Sequence, residues 1–322
     1  MRLYPDAPRP FVDLSTGINP HAYPLPELPH ALFARLPQGD DTESLENAAA
    51  QAFGVKQPGC IVAVPGTQAL IQRLPEIFRG RNIGILGPTY GGHAEAWINA
   101  SARVTPIERL DDLRGFELAV VVNPNNPDGR LVKKADLKIL QHANQQLVVD
   151  EAFMDFLPAD ASFVAQAGQQ RSNVVVLRSF GKAYGLAGIR LGFGVAAPSI
   201  ITALRRSFGD WAISGPAQFV GAKALADNLW QEKMAKRLQD ESRKLNQMLQ
   251  HSGWSDEGGT SLFRLAGHRE AARWFEHLAR QGILTRPFAA RPTLLRFGLP
   301  QQEAQWQRLA DALSTGAMQI CS

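Results

Sequence analysis

A chain of 322 residues with 45% hydrophobic content can bury one large core and a smaller one, which excludes a single small module. Its formal charge of +4 is spread over 34 basic and 30 acidic residues without basic runs, so there is no concentrated stripe for a nucleic-acid partner. Cys60 and Cys321 are far apart and lack metal-ligand spacing, which argues for reduced thiols and no metal site.

The first ten residues carry prolines and charges where a signal peptide would need an apolar core, and no stretch reaches membrane-spanning length. We therefore expect a soluble, cytoplasmic protein with no membrane partner. Residues 1–37, with prolines at 5, 8, 10, 20, 24, 26, 29 and 37, read as an extended arm with one short helix that joins the smaller domain. Inside it, Asp13-Leu14-Ser15-Thr16-Gly17-Ile18-Asn19-Pro20 sets hydroxyl and amide groups beside a glycine turn. That combination suits a small polar ligand and equally a plain surface turn.

Residues 43–53 read as a helix. Beyond them, apolar runs at 61–64, 83–86, 119–122, 147–149, 174–177 and 191–195 alternate with helical patterns such as 67–78 and 133–143. This predicts an α/β large domain over 38–215, with a mostly parallel sheet covered on both faces. Gly215-Pro216 signals a helix start, and 217 to about 250 reads as one long charged helix linking to the rest of the 216–322 region. There, strands at 261–265, 283–285 and 294–297 and helices at 270–281 and the C-terminus make an α+β small domain.

Chemistry-bearing residues recur where the predicted strands end, the place where ligands gather in α/β sheets. Pro65-Gly66-Thr67-Gln68 passes from a strand through a glycine turn into a helix, a candidate anion site as well as an ordinary helix cap. Tyr90, in Gly87-Pro88-Thr89-Tyr90-Gly91-Gly92, could stack on a flat ligand or fill the core. Asn126 lies in the turn Asn123-Pro124-Asn125-Asn126-Pro127-Asp128-Gly129 after a buried run. Asp150-Glu151 closes another run. As a nucleotide-hydrolase strand it would need a Gly-x-x-x-x-Gly-Lys-Ser/Thr loop, but Gly181-Lys182 is followed by Ala183 and has Val176 where the first glycine belongs.

Lys182 follows the run 174–177, and Arg190 stands eight positions further on. An accessible amine can form a Schiff base, and a guanidinium can grip a phosphate.

Ser179-x-x-Lys182 followed by Gly188-x-Arg190-x-Gly192 resembles the cofactor-lysine motif of fold-type I pyridoxal-phosphate (PLP) enzymes, the aminotransferase class I/II superfamily. The resemblance implies a seven-stranded-type, mostly parallel sheet with a small α+β domain, a homodimer, and pyridoxal 5'-phosphate as cofactor. It further implies that Lys182 carries the cofactor and that Gly66, Thr67, Gln68, Ser179 and Arg190 hold its phosphate. Tyr90 would stack on the ring, Asn126 bond its hydroxyl and Asp150 face its nitrogen, so that Lys182 and Asp150 are catalytic. Ser15, Asn19, Arg286 and Arg296 would contact substrate.

Within the superfamily, residues 13–20, 150–156, 177–182 and 210–214 are similar to the threonine-phosphate decarboxylases of cobalamin synthesis. This implies a small phosphorylated amino acid, L-threonine O-3-phosphate, converted to aminopropanol phosphate. Aminotransferases of the histidinol-phosphate type are the alternative. A non-enzymatic PLP-binding sensor is the remote one, since such regulators carry a DNA-binding module and none is expected before Arg9. The chain departs from its relatives at Phe153, where aminotransferases have a tyrosine that bonds the ring hydroxyl, and at Leu36, where they have a tyrosine reaching the neighbouring subunit's phosphate.

Overall fold

The computed structural model describes residues 3–57 and 59–320, so Cys321 lies outside the described residues. Two compact units emerge. The larger comprises Tyr23–Asn126 and Leu131–Glu232, and the smaller comprises Met1–Ala22, Pro127–Arg130 and Lys233–Ser322. These divisions differ from the expected ones at 37 and 215, and the excursion at Pro127–Arg130 had no signature in composition.

The larger unit holds a seven-stranded sheet. In chain order its strands are β1 (Ile61–Val64), β2 (Asn82–Leu86), β3 (Arg103–Ile107), β4 (Leu118–Val122), β5 (Gln146–Asp150), β6 (Val174–Ser179) and β7 (Gly192–Val195). Their spatial order is β1-β7-β6-β5-β4-β2-β3, and only β7 runs antiparallel to its neighbours. Strands β4 and β6 are buried at every position, which is why they read as continuous apolar runs rather than alternating ones.

Alternate residues of these strands feed two cores. Val121, Val149 and Val176 pack with Leu45, Leu137 and Ala217 of helices α1 (Gly39–Phe53), α4 (Lys134–Ala143) and α7 (Gly215–Ala226). Val120, Val148 and Val175 pack with Leu70 and Leu74 of α2 (Thr67–Phe78) and with Leu204 of α6 (Pro198–Phe208). Strand β3 was not expected: its Thr105-Pro106 breaks the apolar run, and a proline is tolerated there because the strand is at the edge.

The single long helix expected from 217 is instead two, α7 and α8 (Asn228–His251). Asp227 separates them and caps the second by accepting a hydrogen bond from Trp230 N (3.0 Å). Gln231 Nε2 donates to the carbonyls of Ala224 (3.3 Å) and Leu225 (3.0 Å) in the last turn of α7.

The smaller unit contains an antiparallel sheet of β8 (Ser255–Thr260), β9 (Phe263–Gly267), β10 (Arg286–Pro287) and β11 (Leu294–Gly298), in the order β10-β11-β9-β8. Helices α9 (Ala271–Arg280) and α10 (Glu303–Ile320) belong to the same unit. Residues 261–262, expected to begin a strand, form the turn between β8 and β9 instead, and Leu262 N donates to Thr260 Oγ1 (3.1 Å). Val12–Asp13 pairs in parallel with Ile283–Leu284, so the N-terminal segment is anchored by backbone hydrogen bonds. Among the described residues no helix is long and apolar enough to cross a membrane.

Candidate active site

Lys182 lies in a single helical turn, α5 (Phe180–Ala183), directly after β6. The chain then folds back tightly: a Cβ on Gly181 would stand 2.7 Å from Ala187 Cα. Tyr184 braces this turn, stacked on Phe180 (4.3 Å, 9°) and on Trp230 (5.4 Å, 12°). Lys182 Nζ is 4.3 Å from the centroid of the buried Phe153 ring, within cation–π range.

Asp150 ends β5 and is 3% exposed. Its Oδ2 is 2.9 Å from His93 Nε2, and its Oδ1 accepts from Ala152 N at 3.0 Å. Burial by itself pushes this carboxyl up, but the His93 hydrogen bond and charge, followed by Lys182 and the Ala152 N–H, together hold it below the ordinary value. An ionised carboxylate therefore persists in a dry place. The adjacent Glu151 accepts from Ser162 Oγ (2.6 Å), Phe163 N (2.6 Å) and Arg178 Nη1 (3.4 Å). The acidic pair thus divides its work, Asp150 facing His93 and Lys182 and Glu151 serving the internal network.

His93, fully buried on α3 (Gly92–Asn99), is the functional residue that sequence reasoning missed. The available signal was a histidine three residues beyond Tyr90 in a helix that follows a strand. Tyr90 meets it edge-on at 6.3 Å and donates through Oη to Gln68 Oε1 (2.8 Å). With 42% of its surface exposed, the Tyr90 ring is accessible to a flat ligand.

The residues expected to hold an anion are placed near one another. Val64, Gly192 and Ser179 lie side by side across β1, β7 and β6. A Cβ on Gly66 would stand 2.8 Å from Arg190 Nη2, and one on Gly192 would stand 2.8 Å from Thr67 N. Both glycines therefore let a guanidinium and the first turn of α2 approach the same point, and no acidic residue occupies that turn. Arg190 takes a left-handed conformation (φ 56°) and donates to Ala187 O (3.2 Å). Backbone N–H groups at a helix start and a guanidinium make an anion cradle.

Asn126, half-buried, follows Asn125, whose side chain accepts from Thr89 Oγ1 (2.6 Å) and donates to Pro88 O (3.1 Å). These bonds tie the Tyr90 turn to the Asn126 turn. Lys182, the dry Asp150 carboxylate, the accessible Tyr90 ring and the glycine-lined cradle are the parts PLP needs, and the residues present fit it.

The four predicted substrate residues all belong to the smaller unit. Asp13 Oδ1 accepts from Ser15 N (2.8 Å) and Ser15 Oγ (2.6 Å), while Arg296 Nη2 donates to Ser15 O (2.7 Å). Asn19, buried, accepts at Oδ1 from His21 N (2.8 Å), and His21 Nε2 meets Glu241 at 2.8 Å. Arg286 and Arg296 are direct cross-strand partners. Burial first, then the charge of Arg286, pushes Arg296 down to about 10. Like charges opposite each other are costly, and an anion bound between them would relieve both.

The sequence pattern of the family Aminotransferase class I and II matches residues 30–313. A threonine-phosphate decarboxylase of Pseudomonas aeruginosa is 40% identical over 311 residues, covering 94% of this chain and 91% of its own. One from Sinorhizobium sp. is 38% identical, covering 97% and 94%. The solved structure of histidinol-phosphate aminotransferase from Sinorhizobium meliloti in complex with pyridoxal-5'-phosphate superposes with a TM-score of 0.83 at 18% identity, covering 96% of this chain and 91% of that one.

Proposed function

This chain belongs to the aminotransferase class I and II family, and from that membership we propose that it is a PLP-dependent decarboxylase of L-threonine O-3-phosphate, releasing aminopropanol phosphate. The observation that carries the chemistry is the buried Asp150 carboxyl, 2.9 Å from His93 and paired with Leu177 on the strand that leads into Lys182. The likeness to two relatives named threonine-phosphate decarboxylase supports the substrate. By the same resemblance the product serves cobalamin assembly.

Lys182 would hold PLP through Nζ, and Arg190, Ser179 and the Gly66-Thr67-Gln68 turn would hold its phosphate. Tyr90 would cover the ring, Asn126 would bond its hydroxyl and Asp150 its nitrogen. When bound, PLP supplies a sink for the electron pair left at Cα. Asp150 keeps a proton on the ring nitrogen, and His93 keeps Asp150 ionised. Arg296 would grip the carboxylate and Arg286 the substrate phosphate, with Ser15 and Asn19 lining the same segment. Lys182 Nζ, set free when the substrate amine takes its place, would deliver to Cα the proton that replaces the departing CO2.

Product analysis tests this reading. Aminopropanol phosphate supports it, and the 2-oxo acid corresponding to the substrate contradicts it. We also place the enzyme in the cytoplasm as a homodimer. Leu36, 61% exposed, would then lack the cross-subunit phosphate contact of its relatives, and light scattering that finds a fully active monomer would contradict the dimer.

A further inference from the structure

The loop that carries Asn126 is closed at its base in the larger unit, where Asn123 Oδ1 accepts from Val132 N (2.7 Å) and Asn123 N donates to Asp150 O (2.8 Å). The residues that follow Asn126, Pro127–Arg130, belong to the smaller unit. There, two stretches of bare backbone cross. A Cβ on Gly129 would stand 1.9 Å from Gly259 O, and one on Gly258 would stand 2.2 Å from Asp128 O. All three glycines have positive φ (70°, 110° and 148° for Gly129, Gly258 and Gly259), where other residues are strained. The obstacles are backbone atoms, which cannot rotate aside.

A Gly-Gly pair weakens a strand and marks a close backbone approach, and strand β8 is held for that approach. Asp256 Oδ1 accepts from Gly258 N (2.9 Å) and from Arg264 Nη2, and its Oδ2 accepts from Asn246 Nδ2 (3.0 Å). Ser242 Oγ donates to Thr260 O (2.9 Å) at the end of the same strand. On the other side, Arg130 N donates to Asp128 Oδ1 (3.0 Å) and shapes the turn.

We propose that this glycine crossing is a positioning device for Asn126. It fixes the chain at Asp128-Gly129, and Pro127, whose φ is locked by its ring, passes that constraint to the residue before it. The proposal rests on the reading of Asn126 as the partner of the cofactor's ring hydroxyl. Gly129, Gly258 and Gly259 are positioning residues that act through Asn126.

The test compares the pH midpoint of the bound cofactor's visible absorbance in the PLP-loaded wild type, Asn126→Ala, Gly129→Ala and the double variant. The Asn126 amide competes with the protonated Lys182 nitrogen for the ring oxygen, so its loss raises the midpoint by about one unit. Gly129→Ala is expected to raise it too, and the double variant to move no further than Asn126→Ala alone. A wild-type midpoint in Gly129→Ala beside a shifted Asn126→Ala overturns the proposal and leaves the Asn126 reading standing, whereas an unshifted Asn126→Ala overturns both. If Gly129→Ala does not fold, Asp256→Ala, which loosens β8 without adding atoms, carries the test. A raised midpoint there supports the proposal, and an unmoved one overturns it.

Discussion

His93 Nε2 lies 2.9 Å from Asp150 Oδ2, both side chains are buried, and His93 Nδ1 has no hydrogen-bond partner among the described residues. The ring therefore spends its one polar contact on the carboxylate. In His93→Phe, burial acts on Asp150 with only Lys182 and the Ala152 N–H opposing it. One hydrogen bond to a charged group, about 1.5 kcal/mol, corresponds to roughly tenfold weaker PLP binding. Equilibrium titration of cofactor absorbance at pH 8 checks this; unchanged affinity would contradict the role given to His93.

The same pair sets a pH dependence. Asp150 is held below its ordinary value, so its stabilising contribution is complete above about pH 4, the unfolded carboxylate value. That contribution is lost as pH falls further, through the folded value. In His93→Phe the folded carboxyl value rises toward the unfolded one, so the loss of stability below about pH 4 is expected to be smaller than in the wild type or absent, and urea unfolding from pH 7 to pH 3 compares the two profiles.

Phe153 lies under Lys182 Nζ at 4.3 Å. A tyrosine there could donate to the ring oxygen of bound PLP, so Phe153→Tyr is expected to lower the pH midpoint of the cofactor's visible absorbance. A spectrophotometric titration that superimposes on the wild type would contradict the placement of Phe153.

Gly66, with φ 84° and Arg190 Nη2 2.8 Å from where its Cβ would be, leaves no room for alanine. Gly66→Ala is expected to displace Arg190 and weaken PLP binding by at least about tenfold, with strain of about 1–2 kcal/mol on the fold. Fluorescence titration with PLP and a thermal melt measure the two effects.

Arg178 is buried between Glu151 and Asp155 (3.4 and 2.7 Å) and over Phe53 (4.3 Å). Arg178→Met leaves the buried Glu151 and the partly buried Asp155 without their cation, a loss of about 3 kcal/mol or more. Chemical denaturation that finds the variant as stable as the wild type would rule out this electrostatic role.

The sheet was legible because strands such as β4 and β6 are buried on both faces and so carry unbroken apolar runs. Lys182, Arg190, Gly66 and Asp150 were legible because each stands at a strand end, where chain order alone gives proximity. What escaped notice depends on packing at a distance. His93 meets Asp150 across 57 positions, and Gly129 meets Gly259 across 259 − 129 = 130 positions. The edges β3 and β8 escaped because edge strands need no apolar pattern, and the break at Asp227 because its cap was masked by the strong helical composition on both sides.

Release of CO2 from L-threonine O-3-phosphate by the PLP-loaded wild type, with no 2-oxo acid present, is the most direct measurement of the proposed activity. Many equivalents of CO2 per subunit are expected, and none from Lys182→Ala. Without CO2 release, conversion of the bound cofactor to its amine form in a single half-reaction would make the protein an aminotransferase instead.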